Sequence, residues 1–151
     1  MFLGNDNVIE LGKICIARNA SFYTEDNNNA IISGDNTRFA GKIHIAVTES
    51  KKCIIGNDCL FSSEIVIRTG DSHSILNEAG IRINQAQDVV IGNHVWVGHR
   101  VLFTKGVEIP ENCVVGTGAI VTKKIDKSGA VIAGVPARIV KENINWDDKR
   151  F

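Results

Sequence analysis

The run Ile91-Gly92-Asn93-His94-Val95-Trp96, Val97-Gly98-His99-Arg100-Val101-Leu102, Phe103-Thr104-Lys105-Gly106-Val107-Glu108 decides the fold. It continues as Ile109-Pro110-Glu111-Asn112-Cys113-Val114, Val115-Gly116-Thr117-Gly118-Ala119-Ile120 and Val121-Thr122-Lys123-Lys124-Ile125-Asp126. In each group of six the first residue is large and apolar and the fifth is compact or branched, while the second is often Gly. A helix repeats its apolar face every 3.6 residues and a half-buried strand every two, and neither resets at six. The pattern predicts an all-β parallel β-helix in which six residues make one flat side and a corner. Three sides close a coil, so Ile91 is expected to stack on Ile109, Val97 on Val115 and Phe103 on Val121.

The same period is visible in Ile55-Gly56-Asn57-Asp58-Cys59-Leu60 and Phe61-Ser62-Ser63-Glu64-Ile65-Val66, and more loosely around Ile9, Ile31 and Ile43. This gives about five coils, on the logic by which short repeats stack. Tyr23 to Ala30, with three successive Asn, reads as a slack corner. Residues 74–88 carry no six-residue signal and are expected to loop out of the wall. A single domain is predicted, with the β-helix over 1–126 and a C-terminal strand and capping tail over 127–151. One helical turn is expected at 143–149, the tail covering the open end of the coil.

Composition agrees. The 151 residues include 21 Ile, 15 Val and five Leu, with 14 Gly and 14 Asn. β-branched side chains favour pleated strands, and Gly and Asn supply turns because both tolerate positive φ. With 17 basic and 17 acidic residues, there is no electrostatic case for nucleic acid as a partner. No apolar run is long enough for a membrane span, and the N-terminus lacks a secretion signal, so a cytoplasmic protein is expected. The four cysteines form no Cys-x-x-Cys pair and read as small buried hydrophobes.

Four segments carry a family resemblance: Asp71-Ser72-His73-Ser74-Ile75, Ile91 to Gly98, Val115 to Lys124, and Ala133-Gly134-Val135-Pro136-Ala137-Arg138. They resemble the hexapeptide-repeat, left-handed β-helix acyltransferases, in particular the sugar O-acetyltransferases of galactoside, maltose, capsule and lipopolysaccharide pathways. The resemblance implies a homotrimer, with acetyl-CoA as donor substrate lying in a groove between coils and a carbohydrate hydroxyl as acceptor. It makes His73, placed 23 residues before Trp96 at the register break, the general base. Histidine suits that task, since an alcohol attacking a thioester needs a base that titrates near neutrality. Asp71 is a candidate to orient the imidazole, and a backbone N–H between Trp96 and His99 a candidate oxyanion donor.

Trp96 falls at the last, outward position of its repeat, where a large aromatic marks a contact surface. By resemblance it flanks the groove, while Arg82 and Asn84 either meet a sugar hydroxyl there or hold the loop down. The resemblance also assigns Thr122, Lys123, Arg138 and Lys141 to CoA phosphates, and His99 and Thr117 to CoA through backbone atoms. Lys and Arg are natural phosphate ligands.

The same scaffold supports γ-class carbonic anhydrases, which bind zinc through histidines. Here the position five residues after His99 is Thr104, so no metal is expected. The remaining alternatives are an N-acetyltransferase of an amino sugar or small molecule, or a non-catalytic trimeric scaffold. No Ser or Cys lies in a nucleophile motif, which favours direct transfer over an acyl-enzyme.

Overall fold

A computed structural model describes residue 1 and residues 3–149. The chain winds through three sheets that form the faces of a triangular prism. The first face holds strands Val8–Leu11, Ala30–Ser33, Lys52–Ile55, Val89–Ile91 and Glu108–Ile109. The second holds Ile16–Ala17, Arg38–Phe39, Leu60–Phe61, Trp96–Val97, Val114–Val115, Val131–Gly134 and Ala137–Lys141. The third holds Ala20–Glu25, Ile43–Thr48, Ile65–Arg68, Leu102–Phe103 and Ile120–Val121. All pairings are parallel except that of the last two strands of the second face.

The expected stacks are present: Ile91 pairs with Ile109, Val97 with Val115 and Phe103 with Val121. First-position and fifth-position side chains both point inward. Ile91, Val97 and Phe103 are buried, as are Val95, Val101 and Val107, and together they run up one continuous core. Phe39 and Phe61 fill the core of two successive coils, their rings 5.0 Å apart.

The corner between the first and second faces explains the Gly-Asn signature. A Cβ on Gly34 would come within 2.8 Å of the Gly56 carbonyl carbon, and one on Gly56 within 2.7 Å of that of Gly92, so the coils touch backbone to backbone here. The next residue bonds up the stack: Asn57 Oδ1 accepts the Asp35 N–H at 2.8 Å and Asn93 Oδ1 the Asn57 N–H at 2.9 Å. Two residues after each glycine, Asn36, Asp58 and His94 turn the chain at φ between 53° and 56°.

The looser N-terminal period has a simple cause. Ile31 pairs with Ile9 and with Cys53, 22 residues away in each direction, so these coils are longer than those that follow. The extra residues all sit between the third and first faces, where strands Ala20–Glu25 and Ile43–Thr48 run on before turning. The 74–88 excursion leaves from that same corner, and Cys53 therefore pairs with Val89, 36 residues on. Its tip is a small antiparallel turn, with Leu76 bridged to Arg82 and the Ile83 N–H bonded to the Ile75 carbonyl at 2.9 Å.

The C-terminal segment differs from expectation in two respects. Residues 143–149 form no helical turn, and they do not cover the open end. That end is covered by strand Ala137–Lys141, which folds back antiparallel and packs Ile139 against the core. The tail instead descends the outside of the prism. Ile144 N–H bonds the Gly129 carbonyl at 2.9 Å, Trp146 reaches His94, and Asp148 pairs with Arg38 at 2.8 Å. One backbone bond and two side-chain bonds thus hold the tail along the wall of the prism. Arg150 and Phe151, the end of the expected cap, lie outside the described residues. No helix among the described residues is long and apolar enough to cross a membrane.

Candidate active site

His73 lies at the foot of the excursion, exposed, on the edge between the third and first faces. Its position is fixed through its backbone, because the Asn84 Nδ2 donates to the His73 carbonyl at 2.8 Å. Asn84 is buried, and its amide is fully used. Nδ2 also donates to Asp71 Oδ2 at 2.8 Å, while Oδ1 accepts from the Ile75 N–H at 2.7 Å and Arg82 Nε at 3.2 Å. Arg82 in turn clamps Glu49 of the preceding coil with both terminal nitrogens, at 2.8 and 2.6 Å. Arg82 and Asn84 thus hold the loop down: the Asn84 amide has no capacity left for a sugar hydroxyl, and Arg82 spends four of its five N–H donors on Glu49 and Asn84.

Asp71 does not orient His73. Its carboxylate receives Lys105 Nζ and Asn84 Nδ2, and Lys105 also donates to the Asn84 carbonyl at 2.9 Å. The hydrogen bond from Lys105 is the main reason the Asp71 carboxyl titrates below its ordinary value, with that from Asn84 next. The hydrogen bond from Arg82 likewise lowers Glu49. These four side chains and Asn84 make a charged staple that ties three coils to the base of the loop. Lys105 and Glu49 carry no sequence signal, since their partners are 34 and 33 residues away.

Trp96 projects outward from the middle of the second face, between Leu60 and Val114, and is 42% exposed. The Trp96 and Gly98 N–H groups are committed to the Cys113 and Val115 carbonyls at 2.9 and 2.8 Å, which removes them as oxyanion donors. His99 and Thr117 meet on neighbouring coils at the corner between the second and third faces, where the Gly118 N–H bonds the His99 carbonyl at 2.8 Å. The His99 ring accepts or donates to Ser63 Oγ at 3.0 Å through Nδ1.

At the C-terminal end, Lys123 and Arg138 line one cleft of about 340 Å³ together with Ile125, Ala137 and Ile139. Thr122 and Lys141 are exposed nearby but do not line it. Lys124 reaches back to Glu108. Among the described residues no cluster of His, Cys, Asp and Glu is placed to hold a metal ion.

A polysialic acid O-acetyltransferase of Neisseria meningitidis is 35% identical to this chain, over 99% of it and 79% of the relative. The chain belongs to the hexapeptide-repeat sugar O-acetyltransferases. It is accordingly an acyltransferase, and its coil is the left-handed parallel β-helix of that family. A crystal structure of a polysialic acid O-acetyltransferase superposes with a TM-score of 0.76 at 28% identity, over 100% of this chain and 93% of the other. A galactoside acetyltransferase in complex with coenzyme A gives 0.67 at 26% identity, over 88% and 64%. Two further relatives are longer, this chain spanning 42% and 55% of them. No family model matches the chain.

Proposed function

We propose that this protein transfers an acetyl group from acetyl-CoA directly to a carbohydrate hydroxyl, with His73 as the general base. The observation that carries the reading is the staple at the loop's foot. It fixes the His73 backbone through Asn84 and Asp71 while leaving the residue open to solvent. A base held in place but accessible is what proton transfer from an incoming hydroxyl requires. In the reaction His73 accepts the proton of the attacking hydroxyl as the oxygen adds to the thioester carbonyl. It then returns that proton to the sulfur that departs.

The donor assignment is supported by the CoA-bound relative and by the Lys123–Arg138 cleft, where those two cations face only the Asp126 carboxylate, Lys124 being paired with Glu108, and suit phosphate. The carbohydrate acceptor is supported by relatives named for polysialic acid and galactosides.

The site is proposed to form between copies of a homotrimer. In a three-sided prism the edge that carries His73 lies opposite the face that carries Trp96. One chain therefore cannot place both in a single groove, but two adjacent chains can. The loop offers a surface for that contact, since Ile75, Leu76, Ile81 and Ile83 are all more than half exposed. The test is His73→Ala, assayed for acetyl transfer and for acetyl-CoA binding. Loss of kcat by at least about 10²-fold with unchanged acetyl-CoA affinity is expected. Unchanged kcat would remove His73 from the chemistry, and no acetyl-CoA binding by the wild-type protein would leave a scaffold role.

A further inference from the structure

We propose that the cleft between Trp96 and the descending tail binds a neutral pyranose ring of the acceptor, Trp146 forming its second wall. The proposal rests on the carbohydrate-acceptor reading above and deepens it by naming the sugar class and a binding residue outside the repeat. Trp146 is held in a defined pose. Its indole N–H donates to the His94 carbonyl at 2.8 Å, and its face stacks on the His94 ring with centroids 4.3 Å apart and planes 11° from parallel. One residue pair further on, Asp148 anchors the tail to Arg38 at 2.8 Å.

The Trp146 and Trp96 rings do not stack on each other. Their centroids are 6.0 Å apart and their planes tilted by 43°, which opens a cleft of about 390 Å³ floored by Leu60. Its rim carries Asp147, Asp148 and Lys149. Sites for small ligands combine an apolar, aromatic lining with a few polar groups that fix orientation, and this cleft has that composition. The C–H face of a pyranose fits an indole wall, and its hydroxyls can reach a carboxylate and an ammonium at the rim. With Asp148 already paired to Arg38, Asp147 and Lys149 leave one charge of each sign at the rim, so no surplus cation is available to hold a CoA phosphate or a sialic acid carboxylate. A neutral ring is the guest that remains. One face of the Trp146 indole is covered by the His94 ring, so a ligand meets only the part of the indole that this stacking leaves open.

The experiment is calorimetric titration with methyl β-D-galactopyranoside, maltotriose and a sialic acid trimer, with acetyl-CoA titrated on the same preparations. At least one neutral probe is expected to bind the wild-type protein, and Trp146→Ala to weaken it about tenfold. Trp146→Phe should restore part of that loss, and acetyl-CoA affinity should stay the same throughout. Asp148→Asn, which frees the tail without touching the core, should weaken the neutral probe in the same direction. Equal affinity of Trp146→Ala and wild type for the neutral probe would overturn the proposal. So would binding of the sialic trimer alone, or a loss of acetyl-CoA affinity in Trp146→Ala, which would place the donor in the cleft. Wild-type protein that binds acetyl-CoA but no neutral probe sinks this cleft and leaves the transferase reading standing. Neutral-probe binding without acetyl-CoA binding does the reverse.

Discussion

Asn84→Ala is the perturbation that most directly tests how the excursion is held. The substitution removes four side-chain hydrogen bonds at once: to Asp71, to the His73 carbonyl, from the Ile75 N–H and from Arg82. Each bond is worth roughly 0.5–1.5 kcal/mol net, and the released partners lie near solvent and recover part of that from water. A loss of about 2–3 kcal/mol follows. The Arg82–Glu49 clamp and the Lys105–Asp71 pair remain, so the loss is of loop anchoring and not of the solenoid. At 1.4 kcal/mol per tenfold, the loop's opening constant should rise roughly 30- to 140-fold. Native-state hydrogen exchange reads this directly. The Ile83 amide, bonded within the loop, should exchange faster by that factor, and the Ile75 amide, whose acceptor is deleted, by at least as much. The Trp96 and Leu102 amides, bonded between coils, should not change. Uniform acceleration at all four amides, or none at Ile75, would refute the view of Asn84 as a local fastener.

Three other outcomes follow from the same structure. Lys123→Ala and Arg138→Ala should weaken CoA more than dephospho-CoA if the shared cleft takes the 3′-phosphate, and equal losses in calorimetry would move those side chains elsewhere. Glu49 and Asp71 are both held below their ordinary values by partners, so their contribution to loop anchoring is complete at neutral pH. It should fade as pH drops below those ordinary values, and Glu49→Gln should remove the upper part of the loss of Ile75 amide protection measured against pH. Burial pushes the Cys53 thiol up to about 12 and the Cys59 thiol up to about 11. Neither should react with a maleimide at pH 8 in folded protein, so fast labelling of more than the half-buried Cys15 would contradict the packing.

The coils from Ile91 onward were readable because each side there has six residues, so stacking partners fall at a fixed interval in the sequence. The first coils were only partly readable, because their surplus residues at one corner break the interval without breaking the stack. His73 could be singled out by its place at the register break, whereas its setting could not. Lys105 and Glu49 converge on the excursion from two separate coils, and no local pattern records that. The tail misled for a related reason. Ile144-Asn145-Trp146-Asp147-Asp148 has the polarity of a surface helix, but His94 and Arg38, more than 50 residues upstream, supply the contacts that keep it extended. A lone tryptophan in an otherwise polar tail was the one available hint of a wall contact.

The placement of every surplus residue along one edge divides the prism into a fixed frame and an adjustable seam. At the glycine corner neighbouring coils are in backbone contact, and nothing can be inserted there without prising them apart. At the opposite seam the chain can lengthen by a few residues or by a whole hairpin while the coils above and below keep their spacing. Grafting a tip of different length between Leu76 and Arg82 should therefore change what approaches His73 without asking the core to repack. Diversification of acceptors on this scaffold needs only a hinge that length can pass through, and the fold has one.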